Sequence, residues 1–167
     1  MLCVRGSEVD RPLDATSHHD HGDGGDLIAR AERVCAERRL QLTPWRRRVL
    51  EELARTSSPL GAYDLVERLA GERRISPISV YRALDFLMAA GLVHRIAARN
   101  TYLPCHHEHQ HDETTVFLIC SRCGAVDERT SLAVAEGLDG TAQAAGFQVQ
   151  SRSVELEGQC GACRSTG

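Results

Sequence analysis

The sequence predicts an α+β fold, in which a helical module ending in a β-hairpin is followed by a small α/β unit closed by four cysteines. Two observations predict it. Four segments before Gly91 repeat apolar residues at helical spacing, and after Gly91 the period drops toward two. Further on, the pairs Cys120-Ser-Arg-Cys123 and Cys160-Gly-Ala-Cys163 supply four thiols at the spacing of a tetrahedral zinc site. Two intervening residues let both sulfurs of a pair reach one ion from a tight turn, and two pairs close the site with no open position. Such a site holds a fold together and does no chemistry. The 36 residues between Cys123 and Cys160 exceed the usual zinc-ribbon separation, so a folded unit must return the second pair beside the first. Disulfides or a redox pair are the rival readings of these cysteines.

A chain of 167 residues holds one ordinary domain or two small ones, and small domains are marginal on apolar burial alone, which gives a metal staple a purpose. No apolar run approaches a membrane span, and the N-terminus lacks the apolar core of a secretory signal. A cytoplasmic protein is expected, and in that reducing compartment seven cysteines favour metal ligation over disulfides. The net charge of −3 conceals a division. Arginine against aspartate plus glutamate stands at 2 to 6 over residues 1–27, 14 to 8 over 28–100 and 4 to 9 over 101–167. A basic module inside an acidic chain fits a nucleic-acid contact surface, and equally a set of solvated helix faces. Every cation is arginine, so no single arginine stands out for being one.

Residues 1–25 are polar, glycine-rich toward their end and without periodicity, which predicts a disordered tail. His18, His19 and His21 with Asp20 are metal-binding residue types, but a short flexible cluster of this kind is read as incidental. From Asp26 the stripe Leu27, Ile28, Ala31, Val34 and Cys35 predicts a first helix with Cys35 as a core thiol. Thr43-Pro44 starts a second helix, Thr as N-cap and Pro at its first position; it carries Arg46, Arg47 and Arg48 outside the apolar side of Val49, Leu50 and Leu53. Ala62, Leu65, Val66 and Leu69 mark a third helix that Gly71 stops. Ser76-Pro77 opens a fourth, which runs through Val80, Leu84 and Leu87 to Gly91 and shows Ser79, Tyr81 and Arg82 on its outer side. Residues 92–96 and 101–103 then read as two short strands around a turn. Helices followed by a β-hairpin make a winged helix-turn-helix, whose last helix before the wing meets base edges with its N-terminal part. Ser79, Tyr81 and Arg82 lie there, and the arginines 46 to 48 are candidates for phosphate contacts.

The stretch from Cys105 to Glu113 is too polar to pack and rich in ligands, so it is a linker that can bind metal. Residues 116–119 form an apolar strand into the first cysteine pair and 125–129 a strand out of it. A helix over 132–145 follows, weakened by Gly137 and Gly140. Phe147 with Val149, and later Val154 with Leu156, suggest further strands. The sheet edge of such a unit invites pairing with a second copy.

Three stretches carry a resemblance to a known family: LQLTPWRRRVL over 40–50, SVYRALDFLMAAGLVHR over 79–95 and FLICSRCGAVDE over 117–128. With the modules in this order, residues 26–165 resemble the ferric uptake regulator family, and most of all its zinc-responsive members. The resemblance implies a dimeric, metal-activated transcriptional repressor that binds double-stranded operator DNA and controls zinc uptake genes, with no membrane and no small-molecule substrate. It implies two zinc ions per chain. Cys120, Cys123, Cys160 and Cys163 match the structural site, and His94, Cys105 and Glu128 match regulatory ligands. The zinc-responsive members place a fourth regulatory ligand, a histidine, where this chain has Glu113; His111 stands two residues earlier and suits zinc better than a second carboxylate, so His111 is the expected ligand and Glu113 its substitute. The implied organisation is a tail over 1–25, a winged-helix DNA-binding domain over 26–103, a His-rich hinge over 104–113 and an α/β dimerisation domain with structural zinc over 114–167.

Three rival functions stand beside this one, the simplest a zinc-stapled adaptor with no DNA role. The same family also senses iron, nickel or peroxide; a Cys105 thiolate argues against iron, which leans on oxygen and nitrogen ligands. A thiol-disulfide enzyme using Cys120 and Cys123 would need a thiol of lowered pKa at a helix N-terminus and a substrate cleft, and a strand-turn-strand context predicts neither. The chain is therefore expected not to be an enzyme.

Overall fold

The computed structural model describes residues 24–56, 58–71, 74–105, 114–150 and 152–165. The tail with His18, His19 and His21, and the ligand-rich stretch with His111 and Glu113, lie outside them.

Four helices, α1 (Gly24–Glu37), α2 (Pro44–Ala54), α3 (Ala62–Ala70) and α4 (Pro77–Ala89), enclose one apolar core. Leu50, Leu53, Leu65, Leu84, Leu87 and Leu92 are fully buried there, each stabilising the fold by about 1.5–3 kcal/mol relative to an exposed side chain. Cys35 is a core thiol as expected, and burial, partly opposed by Arg46 and Arg38, pushes its pKa up. The predicted punctuation holds. Thr43 Oγ1 accepts the Arg46 N–H at 3.3 Å, which caps α2. Gly91, at φ 71°, closes α4: Leu92 N–H donates to the Leu87 carbonyl and Gly91 N–H to Met88, both at 2.9 Å.

A three-stranded sheet follows the helices, with order β1-β3-β2. Here β1 (Leu60–Gly61) is a two-residue strand that no sequence pattern announced, while β2 (Val93–Ile96) and β3 (Thr101–Pro104) form the predicted hairpin around a 3₁₀ turn at Ala97–Arg99. Asn100 takes the left-handed conformation that ends this turn, as a short polar side chain tolerates.

The second sheet contains β4 (Thr114–Cys120), β5 (Val126–Ser131) and β6 (Val154–Gly158) in the order β5-β4-β6, with α5 (Leu132–Ala144) connecting β5 to β6 and a short α6 (Gly161–Ser165) after it. Strand β4 pairs antiparallel to β5 and parallel to β6. Residues 147–150 carry no strand, contrary to the alternation of Phe147 and Val149, and Phe147 is 69% exposed. A second apolar cluster joins the two parts of the molecule, as Ile96 and Leu103 of the hairpin pack on Phe117, Ile119 and Val126 of the sheet.

Candidate functional site

The first candidate metal centre sits where β4 and β6 end side by side, with Cys120 in register with Gly158. Cys120 closes β4, and the turn that carries Cys123 is held by Cys120 N–H on the Ala125 carbonyl (2.8 Å) and Gly124 N–H on the Cys120 carbonyl (3.0 Å). Gly124 has φ 80°, a conformation that favours glycine. Ser121 N–H donates to the Gly158 carbonyl at 2.7 Å, and Arg122 to the Cys163 carbonyl at 2.6 Å, which brings the second pair against the first. The sulfurs of Cys120, Cys123, Cys160 and Cys163 all lie within 4.8 Å of one another.

Cys123 and Cys160 Sγ are 3.9 Å apart. A tetrahedral ion with bonds of about 2.3 Å sets its sulfurs roughly 3.8 Å apart, whereas a disulfide needs about 2.05 Å. The four residues thus fit zinc, and none is in disulfide geometry. The N–H groups of Cys160, Cys123 and Arg122 directed at Cys120 lower its pKa to about 5, while the hydrogen bond to Cys160, burial and the neighbouring thiols push Cys163 up to about 12. Four thiols crowded together cannot all ionise without a cation among them.

The second centre joins the two parts of the molecule. His94 lies on β2 opposite Leu103; Cys105 follows β3 with its N–H on the Leu92 carbonyl at 2.9 Å; Glu128 lies on β5 opposite Phe117. His94 tilts against the Phe117 ring at 5.2 Å. Ligand atoms of His94, Cys105 and Glu128 all fall within 4.8 Å of one another, and His94 Nε2 is 3.3 Å from Glu128 Oε1. Bonds of about 2.0 Å around a tetrahedral zinc put two such atoms roughly 3.3 Å apart. Cys105 is fully buried, and the side chains of His94 and Glu128 are 20% and 7% exposed. Burial opposes a charge on His94, but hydrogen bonds to Cys105 and Glu128 outweigh it and hold the imidazole up to about 9. A buried cation is favoured here, whether a proton or a metal supplies it. A thiolate, an imidazole and a carboxylate form a zinc donor set.

One supporting residue escaped the sequence reading. Arg30 of α1 donates from Nη1 to the Cys105 carbonyl at 2.7 Å and from Nη2 to the Gly91 carbonyl at 3.4 Å, so the first helix helps hold a candidate ligand remote in sequence. Nothing local in the sequence marks it.

The candidate nucleic-acid interface lies around the first turns of α2 and α4. Thr43, Trp45, Arg46, Ser76, Ile78, Ser79 and Arg82 border one concave surface there, where Trp45 Nε1 donates to the Ser79 carbonyl at 3.0 Å. Arg82 is exposed, as expected of an outer residue, and Ser79 is half-buried with its hydroxyl on the Ser76 carbonyl at 2.6 Å. Tyr81, expected to point outward, is instead half-buried against the helical core. Its ring is large enough to bend back over the apolar stripe it borders. Ile78, 63% exposed on the first turn of α4, and Tyr63, 67% exposed on the first turn of α3, are prominent side chains that the apolar pattern did not single out.

The three consecutive arginines each have a partner within the chain. Arg46 lies 3.6 Å over the Phe86 ring and donates to the Gln41 carbonyl, Arg47 pairs with Glu32 and Glu51, and Arg48 donates to the Leu69 carbonyl at 3.1 Å. Among the described residues no helix is long and apolar enough to cross a membrane.

A family model described as ferric uptake regulator family matches residues 37–157. The zinc uptake regulation protein of Escherichia coli (strain K12) is 39% identical over 139 residues, spanning 83% of this chain and 81% of that protein. Among solved structures, a zinc uptake regulator complexed with zinc and DNA superposes with a TM-score of 0.81 at 37% identity, over 86% of this chain and 97% of that one. The holo form of XcZur reaches 0.75 at 39% identity, over 83% and 97% of the two chains. Its apo form, also 39% identical, reaches 0.50 over 85% and 98%. At equal identity, the arrangement of this chain follows the holo form more closely than the apo form.

Proposed function

Because the chain belongs to the ferric uptake regulator family, whose members regulate transcription and are not enzymes, we propose that it is a zinc-responsive repressor that binds operator DNA as a homodimer and controls zinc uptake genes. The observation that carries this reading is the convergence of His94 and Cys105, which follow the helical part, with Glu128 of the second sheet, at separations suited to tetrahedral zinc. Zinc bound there would supply a strong link between the two parts. His94 and Cys105 hold the wing end of that link and Glu128 the sheet end. His111, or Glu113 in its place, completes the ligand set, and the four cysteines hold the second, structural ion.

In a homodimer, fixing each wing on its sheet fixes the separation of the two α4 helices, and a two-fold operator demands one separation. A coupling of about 1 to 3 kcal/mol corresponds to about 5- to 150-fold tighter DNA binding. The helix α4 would contribute base contacts through Ser79, Tyr81 and Arg82. Arg46, Arg47 and Arg48 would reach phosphates by exchanging their internal partners. Dimerisation is supported by the exposed Leu118 and Leu156, which stand in register on neighbouring strands and offer an apolar patch beside the edge strand β6. The solved relative complexed with zinc and DNA supports the same reading.

The test is operator binding titrated against buffered free zinc, with metal content measured at each step. Binding that tightens as a second zinc per chain is taken up supports the proposal. Binding indifferent to zinc, or restored by iron alone, rejects it.

A further inference from the structure

The wing is also fastened to the second sheet by contacts that involve no metal ligand side chain. The 3₁₀ turn at Ala97–Arg99 begins with N–H groups that cannot be satisfied within so short a turn. Glu155, on β6, accepts both of them: Oε1 from Ala97 N–H at 2.7 Å and Oε2 from Ala98 N–H at 2.9 Å. At the other end of the turn, Arg99 donates from Nη2 to the Cys120 carbonyl at 2.9 Å, and its Nε stands 3.7 Å from Glu157 Oε1. One short turn of the wing is thus gripped by charge-assisted bonds at both ends.

The groups that grip it belong to strands ending in the four-cysteine site. Strand β4 finishes at Cys120 itself, and β6 finishes at Gly158, just before Cys160. The carbonyl that receives Arg99 and the N–H that Cys160 directs at the Cys120 sulfur, at 3.4 Å, belong to the same knuckle. Loosening the cysteine site therefore loosens the strand ends that carry Glu155, Glu157 and the Cys120 carbonyl.

We infer that Glu155 and Arg99 are positioning residues, forming a latch that holds the wing on the second sheet and makes the four-cysteine site a second determinant of wing orientation beside the His94, Cys105 and Glu128 centre. The latch and that centre favour the same closed arrangement. Each therefore strengthens the other, and losing the latch weakens zinc binding at a centre that neither residue touches. The consequence for DNA rests on the proposed function; the consequence for zinc affinity does not require DNA.

The experiment compares the full-length parent with Glu155→Ala and Arg99→Ala, and with the milder Glu155→Gln and Arg99→Lys. Zinc itself is the probe, with the midpoint of the weaker site measured by competition with a chelator, alongside zinc content, thermal stability and operator binding at a fixed subsaturating zinc concentration. Both alanine variants should keep the four-cysteine zinc and melt like the parent, yet need about tenfold more free zinc to fill the weaker site, with operator affinity falling by a similar factor. Glu155→Gln, with a single neutral acceptor, should fall between parent and alanine. If an alanine variant loses its structural zinc, the milder variant at that position carries the same comparison. Zinc midpoints equal to the parent's at both positions would overturn the latch. A parent that takes up zinc without binding operator would overturn the functional reading alone, because the zinc midpoints still decide the latch.

Discussion

His94 Nε2 stands 3.3 Å from Glu128 Oε1, although the first belongs to the wing and the second to the other sheet. With Cys105 within 4.8 Å of both, the pair spans the joint at which the two parts of the chain are oriented. Chemistry at this one point can therefore act on the placement of α4.

Replacing Cys105 by Ser, or His94 by Ala, should leave a folded protein that keeps its four-cysteine zinc but loses zinc-dependent operator binding, since a hydroxyl is a far poorer zinc ligand than a thiolate. Metal content and operator affinity at saturating zinc check this. Zinc-responsive binding surviving in both variants would move the sensor elsewhere. His111→Ala and Glu113→Ala then separate the two candidates for the fourth ligand, because only the true ligand's loss should raise the zinc midpoint by about tenfold or more.

Zinc should compete with protons at this centre. Burial opposes the charge on His94, yet the hydrogen bonds to Cys105 and Glu128 hold its metal-free pKa up to about 9, above the ordinary 6.5. Protonated His94 therefore stabilises the metal-free fold fully below about pH 6.5, and that contribution fades as pH rises through about 9. A ligand must be deprotonated, so zinc uptake at pH 7 should release protons, and affinity should rise with pH up to about 9. Calorimetry in buffers of different ionisation enthalpy counts the protons; an enthalpy independent of buffer would contradict the assignment of His94.

At the other centre, Cys120→Ser or Cys163→Ser should lower the melting temperature by about 10 °C or more with loss of one zinc per chain, because folding and metal binding are coupled. Thermal melts with metal analysis give the answer. Unchanged melting after complete zinc removal would end the structural role.

On the DNA face, Arg82→Ala should weaken operator binding by about 1–3 kcal/mol without altering zinc content, as an exposed side chain on α4 has little to do with the core. Tyr81→Ala should behave differently and lose thermal stability too, since the ring packs on the helical core. Loss of a phosphate contact at Arg46, Arg47 or Arg48 should lower the slope of log affinity against log salt by about one for each charge. A slope unchanged in all three would mean that Phe86, Glu32, Glu51 and the Leu69 carbonyl keep these arginines when DNA is bound.

Sequence by itself determined what local pattern can specify. The Cys120 and Cys160 pairs point to a metal site because a two-residue spacing lets both sulfurs of a pair reach one ion. Thr43, Pro44 and Gly91 set helix ends because caps act within one turn, and the stripe from Leu27 to Cys35 names its own buried side. Glu128 was legible only through resemblance, since a lone carboxylate on a strand carries no signal of the imidazole it will face. Three residues of alternation at Phe147 were too little to make a strand, because pairing with a neighbour decides strands and alternation alone does not. Tertiary structure alone placed Glu155 on the N–H groups of Ala97 and Ala98, Arg99 on the Cys120 carbonyl, Arg30 on the Cys105 carbonyl and Tyr81 against the core. Those contacts follow from how Ile96 and Leu103 seat on Phe117, Ile119 and Val126, and that seating is a sum of many weak, non-directional contacts between residues far apart in the chain.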